Sequence, residues 1–209
     1  MKKITNLLSF LQFAVLGIAS LGIAQTASAQ GDAAAGEAKV ALCATCHGVG
    51  GNSQIPENPK LAGQNANYIL KQLADYKSGA RENITMSAMV GALSEQDMQD
   101  IAAYYASQQV EISAAEPESI ELGETIYRAG NKEITVAACT ACHSPTGRGN
   151  GPAGFPALSG QHSIYTLTQL KAFRSGERDN DMNGMMRIVV ERLTDKELEA
   201  LANYVAGLN

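Results

Sequence analysis

The pentapeptide Cys43-Ala44-Thr45-Cys46-His47 recurs as Cys139-Thr140-Ala141-Cys142-His143, and these two copies contain every cysteine of the chain. Residues i, i+3 and i+4 of a helix lie on one side, so each copy can present two thiols and an imidazole together. Cys-x-x-Cys-His is the attachment motif of c-type haem, and the pattern predicts two covalent haems. The predicted attachment residues are Cys43, Cys46, Cys139 and Cys142, and the predicted iron ligands are His47 and His143.

Zinc is the main alternative for these cysteines, since structural zinc sites use similar Cys-x-x-Cys pairs. A zinc site does not explain the histidine that follows each pair. A thioredoxin-like redox pair needs a βαβ setting, whereas this sequence contains almost no strand pattern. A disulfide within one motif would close too short a loop to stabilise the fold much. Haem attachment is therefore favoured.

The first 29 residues have the features of a cleavable secretory signal. Lys2-Lys3 supplies the charged start, Leu7 to Ala24 is largely apolar, and Ala27-Ser28-Ala29 is an A-x-A cleavage site. We expect a periplasmic protein whose mature chain begins at Gln30. An uncleaved membrane anchor is the alternative, because the apolar stretch is nearly long enough to span a bilayer.

The charge balance bears on the partners. The chain has 16 basic and 21 acidic side chains, and loss of the two lysines in residues 1–29 brings the formal net charge from −5 to −7. An acidic surface argues against nucleic-acid binding. We therefore expect no nucleic-acid partner.

The remainder of the chain is an internal repeat. Residues 59–64 match residues 156–161, and a polar segment with a proline separates the copies. We expect two tandem domains, residues 30–110 and 119–209, joined by a linker over residues 111–118. Other matched pairs are Tyr68 and Tyr165, Arg81 and Arg178, Met86 and Met186, Leu93 and Leu193, and Tyr104 and Tyr204.

Each copy is predicted to be all-α, with about three main helices around a covalent haem. The first helix should start near Asp32 or Pro117 and run into the haem motif, with an interruption at Gly130 and Asn131 in copy two. Domains of roughly ninety residues are small for a self-sufficient core, and the haem would supply apolar volume. The second helices are expected over residues 66–77 and 163–174, before Gly79 and Gly176, and the third helices after Ser94 and Thr194.

A six-coordinate iron needs a second axial ligand. The spare histidine, His162, pairs with Asn65 in the repeat, so we expect it to be structural. Met86 and Met186 each lie seven residues before a matched leucine, and a thioether raises the haem potential. We predict these two methionines as axial ligands. The competitors are Met89, Met182 and Met185, with Met185 the main alternative to Met186.

Two other matched pairs are candidates for supporting roles. A backbone carbonyl near Pro59 and Pro156 is a candidate acceptor for the Nδ1 proton of the motif histidine. Gly36 and Gly123 are candidates for a close helix crossing. At these glycines the first helix of each copy would cross the third helix, which carries Tyr104 in copy one and Tyr204 in copy two.

The chain resembles the dihaem cytochrome c4 family over essentially all of the sequence after the signal. The resemblance rests on both haem motifs, the repeated Pro-to-Gln segments, Met86-Ser87-Ala88-Met89, Met185-Met186-Arg187 and the tyrosine-bearing third helices. It implies two class I cytochrome c domains related by a pseudo-twofold axis. It also implies His/Met ligation through Met86 and Met186, with the haems approaching each other at the domain interface.

The resemblance further implies periplasmic electron transfer to a terminal oxidase, often with loose peripheral membrane association. We expect an electron carrier and not an enzyme, with redox partners such as a quinol-oxidising complex, a terminal oxidase or a dehydrogenase. The alternative is a cytochrome subunit of a larger dehydrogenase, for example with a flavoprotein partner. A dihaem peroxidase needs an open iron position, and the methionines available to both irons count against it.

Overall fold

The computed structural model describes residues 31–209, so the predicted signal peptide and Gln30 lie outside the described residues. Within this range the chain forms ten α-helices and two short 3₁₀ turns, and its only β-type pairings are two isolated bridges. The predicted all-α fold is confirmed. None of the helices within residues 31–209 has the length and hydropathy needed to cross a bilayer.

The helices repeat in the same order in the two halves. The first half contains α1 (Ala33–Glu37), α2 (Ala44–His47), α3 (Ala66–Ser78), α4 (Ile84–Val90) and α5 (Glu95–Ser107). The second half contains α6 (Pro117–Ala129), α7 (Thr140–His143), α8 (Ser163–Ser175), α9 (Met185–Val190) and α10 (Asp195–Gly207). The 3₁₀ turns are Val49–Gly51 and Met182–Gly184.

The ends of the long helices follow local sequence signals. Gly79 and Gly176 end α3 and α8 in the left-handed conformation, with φ of 82° and 80°, which glycine adopts without steric cost. Ser94 and Thr194 begin α5 and α10, each with a complete capping box. These predicted boundaries are confirmed to within one residue.

The first helix of copy one departs from the prediction. α1 ends at Glu37, and a turn separates it from the haem motif, so the expected continuous helix is wrong there. The Lys39 N–H donates to Gly36 O, three residues back, at 2.9 Å, which tightens the backbone and ends the helix. In copy two α6 runs to Ala129, and Gly130, at φ of 71°, ends it as predicted.

Gly36 and Gly123 lie where two helices cross in each half. α1 crosses α5 at Gly36, where an added Cβ would lie 2.1 Å from Asp100 O. α6 crosses α10 at Gly123, where an added Cβ would lie 2.2 Å from Ala200 O. The predicted close crossing beside the tyrosines is confirmed, since Tyr104 and Tyr204 lie at the same two contacts.

Replacing either crossing glycine with alanine is expected to destabilise its domain. The new methyl group meets backbone that must move, and overpacking of this kind costs typically 1–3 kcal/mol. Guanidinium unfolding of the haem-loaded G36A and G123A proteins would measure the loss. Gly91→Ala is the control, because Gly91 has φ of −53° and its nearest atom, Ser87 O, is 3.3 Å from an added Cβ. Equal stability of all three variants would contradict the prediction.

The two halves meet through reciprocal hydrogen bonds of matched residues. Gln64 donates Nε2–H to Ala157 O at 2.9 Å and accepts the Ala157 N–H at 2.8 Å. Gln161 makes the same pair of bonds with the backbone of Lys60, both at 2.9 Å. Because equivalent residues exchange equivalent bonds, this contact has the pseudo-twofold symmetry that the family resemblance implied.

The connection between the halves is anchored to both of them. The Glu111 N–H donates to Asn52 Oδ1 at 2.9 Å in the first half, and the Ser113 N–H donates to Ala206 O at 3.2 Å in the second. Of the segment predicted as a linker, only Pro117 and Glu118 lie in α6. The connection therefore follows the domain surfaces as non-helical chain.

A charge cluster stabilises the first half only. Lys39 Nζ lies 2.7 Å from an Asp97 oxygen and 2.6 Å from an Asp100 oxygen. Hydrogen bonds from Lys39, from the Asp32 backbone and from Gln96 lower the pKa of Asp100 to about 2. The repeat places Ala200 where copy one has Asp100, so the second half lacks this cluster.

The cluster predicts a specific loss of stability in acid. The folded-state pKa of Asp100 lies below its ordinary value of 3.8, so its stabilising effect is full above about pH 5 and is lost as the pH falls through 4 towards 2. We expect Lys39→Met to lower stability at neutral pH and to flatten this acid decline. Thermal unfolding across pH 2–7 would test it. Lys132→Met removes the same charge from an exposed side chain and should keep the wild-type slope.

Candidate functional site

Each Cys-x-x-Cys-His motif lies on one helical turn that ends at its histidine. Cys43 and Cys139 precede α2 and α7, and the histidines that end these helices are buried, with 7% and 6% of their surface exposed. None of the four cysteines is paired in a disulfide. Burial raises the pKa of the Cys139 thiol to about 11 and also raises that of Cys43.

Both motif histidines are oriented by a backbone carbonyl. His47 Nδ1 lies 2.9 Å from Pro59 O, and His143 Nδ1 lies 2.9 Å from Pro156 O. A carbonyl can only accept, so Nδ1 carries the proton and the Nε2 lone pair is free for a metal. Burial lowers the pKa of both imidazoles and keeps them neutral. The acceptors near the two prolines are those that the repeat predicted.

One cavity of about 1480 Å³ contains both motifs. It exceeds the roughly 300–1,000 Å³ typical of single-ligand pockets, and residues of both halves line it. The walls include the four cysteines and both motif histidines, together with Met86, Met89, Met182, Met185 and Met186. A cavity of this size, shared by two attachment motifs, fits two large apolar ligands.

The methionines differ in how they are held. Met86, on α4, is partly buried against the core of the first half, and Met186, on α9, is partly buried against the core of the second half. Met89 and Met182 are 42% and 48% exposed. Met185 lines the cavity beside Met186. The assignment of Met86 and Met186 as ligands stays a prediction, with Met185 as its alternative.

His162 lies outside the residues that line the cavity. Its Nε2 lies 2.9 Å from Ser53 O in the other half, where a protonated nitrogen donates across the domain interface. This contact supports the structural role predicted for His162. Within residues 31–209, no group of three or more His, Cys, Asp or Glu side chains lies close enough together to hold a metal ion.

Two buried arginines form a hydrogen-bond network. The repeat identified these arginines only as a matched pair and did not predict the network. Arg81 and Arg178 are each 8% exposed, and both line the cavity. Each guanidinium donates to the glutamine of its own half and to the glutamine and tyrosine of the other, at 2.8–3.1 Å. Their acceptors are Gln72, Gln169, Tyr68 and Tyr165.

These arginines provide a test of whether haem fits the cavity. Neither guanidinium has a carboxylate within 4.0 Å among residues 31–209. Buried cations are normally paired with anions, and a haem carries two carboxylates. The donor set of thiols, neutral imidazoles and thioethers suits its vinyl edges and its iron. The residues present therefore fit the group.

Comparison with known proteins agrees with this geometry. A family model described as "Cytochrome c" matches residues 33–109 and 120–209. Cytochrome c4 of Stutzerimonas stutzeri is 47% identical over 181 residues, which cover 82% of this chain and 86% of that protein. A thiosulfate dehydrogenase electron acceptor from Stutzerimonas stutzeri (strain A1501) is 39% identical over 170 residues, covering 79% and 78%.

A solved structure shows the same architecture. The crystal structure of reduced recombinant cytochrome c4 from Pseudomonas stutzeri superposes with a TM-score of 0.84 at 47% identity. The match covers 86% of this chain and 100% of that one. Two tandem matches to one domain model and this shared fold together identify the family of the chain. The chain belongs to the cytochrome c4 family, and it is an electron-transfer protein with two covalently bound haem c groups.

Proposed function

We propose that this protein is a periplasmic electron carrier that delivers electrons towards a respiratory terminal oxidase. The observation that carries the proposal is one cavity that both attachment motifs and residues of both domains line. When bound, each haem supplies a reversible one-electron Fe(III)/Fe(II) couple. The proposed ligand pairs are His47 with Met86 and His143 with Met186.

The chain's own residues suit a carrier. The Pro59 and Pro156 carbonyls hold each imidazole in one tautomer and one orientation. The thioethers of Met86 and Met186 would favour ferrous iron and so raise the potential of a bound haem. With these residues and the two motif histidines as ligands, a bound haem would offer no position at which a substrate could bind. Electron transfer without substrate chemistry follows from this arrangement.

The interface suits exchange between the two sites. Gln64 and Gln161 bond the backbones of Ala157 and Lys60 in the opposite halves, and Arg81 and Arg178 bridge the halves at the cavity wall. These contacts join the two halves beside the attachment motifs. We propose that Arg81 and Arg178 bind the haem carboxylates at this interface.

One feature supports the proposed compartment, and a second bears on the partner. Residues 1–29 carry the charged start, apolar stretch and A-x-A site of an exported protein. After their removal the net charge of −7 favours electrostatic steering towards a basic partner. Association with the membrane would then be peripheral, through a quinol-oxidising complex or an oxidase.

The test uses washed membranes of the source organism, stripped of soluble cytochromes, with a quinol donor. Adding the haem-loaded protein should restore oxygen uptake in proportion to its concentration, and 1 M salt should weaken the effect, since the Debye length falls to about 3 Å. Failure to restore uptake, with both haems still reducible by ascorbate, would contradict delivery to an oxidase and leave the carrier function standing.

A second candidate partner is a dehydrogenase, which the 39% identity to a thiosulfate dehydrogenase electron acceptor favours. Stopped-flow mixing with a thiosulfate dehydrogenase and thiosulfate discriminates between the candidates. Reduction of both haems within the turnover time of that enzyme would support this role. A stable one-to-one complex on purification would indicate a permanent subunit in place of a diffusing carrier.

A further inference from the structure

The two methionine-bearing helices are anchored in different ways. In the first half Asn83 precedes α4, and its Oδ1 accepts the N–H of Met86 itself at 2.9 Å. In the second half the anchor is Asp181, whose side chain is 3% exposed. One Asp181 oxygen accepts the backbone N–H of Arg187 at 3.0 Å, and the other accepts Arg187 Nε–H at 2.8 Å. Arg187 directly follows Met186.

The chain between Asp181 and α9 has an unusual conformation. Asn183 and Gly184 both have left-handed backbone, with φ of 55° and 69°. The Gly184 N–H donates to Asp181 O at 3.2 Å, and the Met185 N–H donates to Met182 O. Asparagine and glycine adopt left-handed backbone more readily than other residues. The Asp181 carbonyl accepts the Gly184 N–H and its carboxylate binds Arg187, so Asp181 connects this turn to α9.

We propose that Asp181 is a positioning residue that selects Met186, and not Met185, as the axial ligand of the second haem. The proposal rests on the proposed His143/Met186 ligation. Successive residues of a helix point about 100° apart, so Met185 and Met186 cannot face the iron in the same orientation of α9. Asp181 accepts hydrogen bonds from both the backbone and the side chain of Arg187. These two bonds fix the rotation of α9 about its own axis.

The consequence is a difference in how firmly the two thioethers are held. The Met86 N–H donates to the neutral side-chain amide of Asn83. Met186 is held one residue further on, through an ion pair in which the Asp181 carboxylate is buried and the Arg187 side chain is 41% exposed. Removing the Asp181 carboxylate leaves the Arg187 N–H unpaired and breaks both side-chain bonds to α9, while the backbone bond from Gly184 to Asp181 O remains. Met186 should then dissociate from ferric iron more readily, and an added ligand should take its place.

Imidazole titration of the ferric protein tests this. The loss of the thioether-to-iron charge-transfer band reports how much imidazole has replaced the thioether. Asp181→Ala should raise imidazole affinity at one haem roughly tenfold or more, as expected for loss of a charged hydrogen bond. Asp181→Asn should give a smaller increase. Asn83→Ala is the matched control, and it should raise the imidazole affinity of the first haem. The two variants together then show which binding phase belongs to which haem. In the Asp181→Ala protein, any band that persists at the second haem should disappear when Met185→Ala is added.

Three outcomes separate this inference from the ligand assignment. If Met186→Ala leaves both charge-transfer bands intact, the proposed ligation by Met186 is wrong, and the positioning role of Asp181 is then wrong as well. If Met186→Ala removes one band while Asp181→Ala and Asp181→Asn change imidazole affinity less than twofold, ligation stands and the positioning role is overturned. Should Asp181→Ala fail to fold, Asp181→Asn and Arg187→Gln decide by the same titration.

Discussion

Replacing Met86 with alanine is expected to abolish the charge-transfer band of one haem and to lower its potential by roughly 0.1–0.3 V, within the ~0.8 V that axial ligands span. The thioether stabilises ferrous iron, and Met86 lines the cavity from a partly buried position against the core. Spectroelectrochemical titration would measure both changes. The potential of the other haem should move far less.

The other methionines provide the controls for this prediction. Met186→Ala should have the same effect on the second haem. Met89→Ala should leave both bands in place, since Met89 is 42% exposed. A Met185→Ala protein that loses a band while Met186→Ala keeps both would show that the second assignment is wrong.

Removing the attachment cysteines of the first domain is expected to leave that domain unfolded. The cavity measures about 1480 Å³ and residues of both halves line it. A domain of roughly ninety residues has a small core, and without the haem the side chains that line the cavity lose their packing partner.

Intact-mass and circular-dichroism measurements on a Cys43→Ala/Cys46→Ala protein test this prediction. The mass should show one haem in place of two, and the helical signal of the first domain should melt without a cooperative transition. Cys139→Ala/Cys142→Ala is the matched variant for the second domain. A haem-free domain that unfolds cooperatively near the wild-type temperature would contradict the role of haem as core.

Most of the correct predictions came from sequence signals that act over a few neighbouring residues. The capping residues Ser94 and Thr194 and the terminating Gly79 and Gly176 act within one turn of their own helix, so a single sequence contains the information. The family resemblance, the all-α fold and the two covalent haems are confirmed by the comparisons and the shared fold. The continuous first helix of copy one was wrong, because the turn at Lys39 depends on contacts with α5.

The sequence by itself determined the two haem motifs, the repeat and the long helices, because each depends on residues a few positions apart or on direct comparison of the two copies. Only the tertiary structure decided the domain interface and the arginine network, whose hydrogen bonds between the halves join residues 84–110 positions apart. It also decided how Asp181 holds α9. These contacts depend on how two folded domains pack around one cavity, and the spacing of residues along the chain contains no signal for that packing.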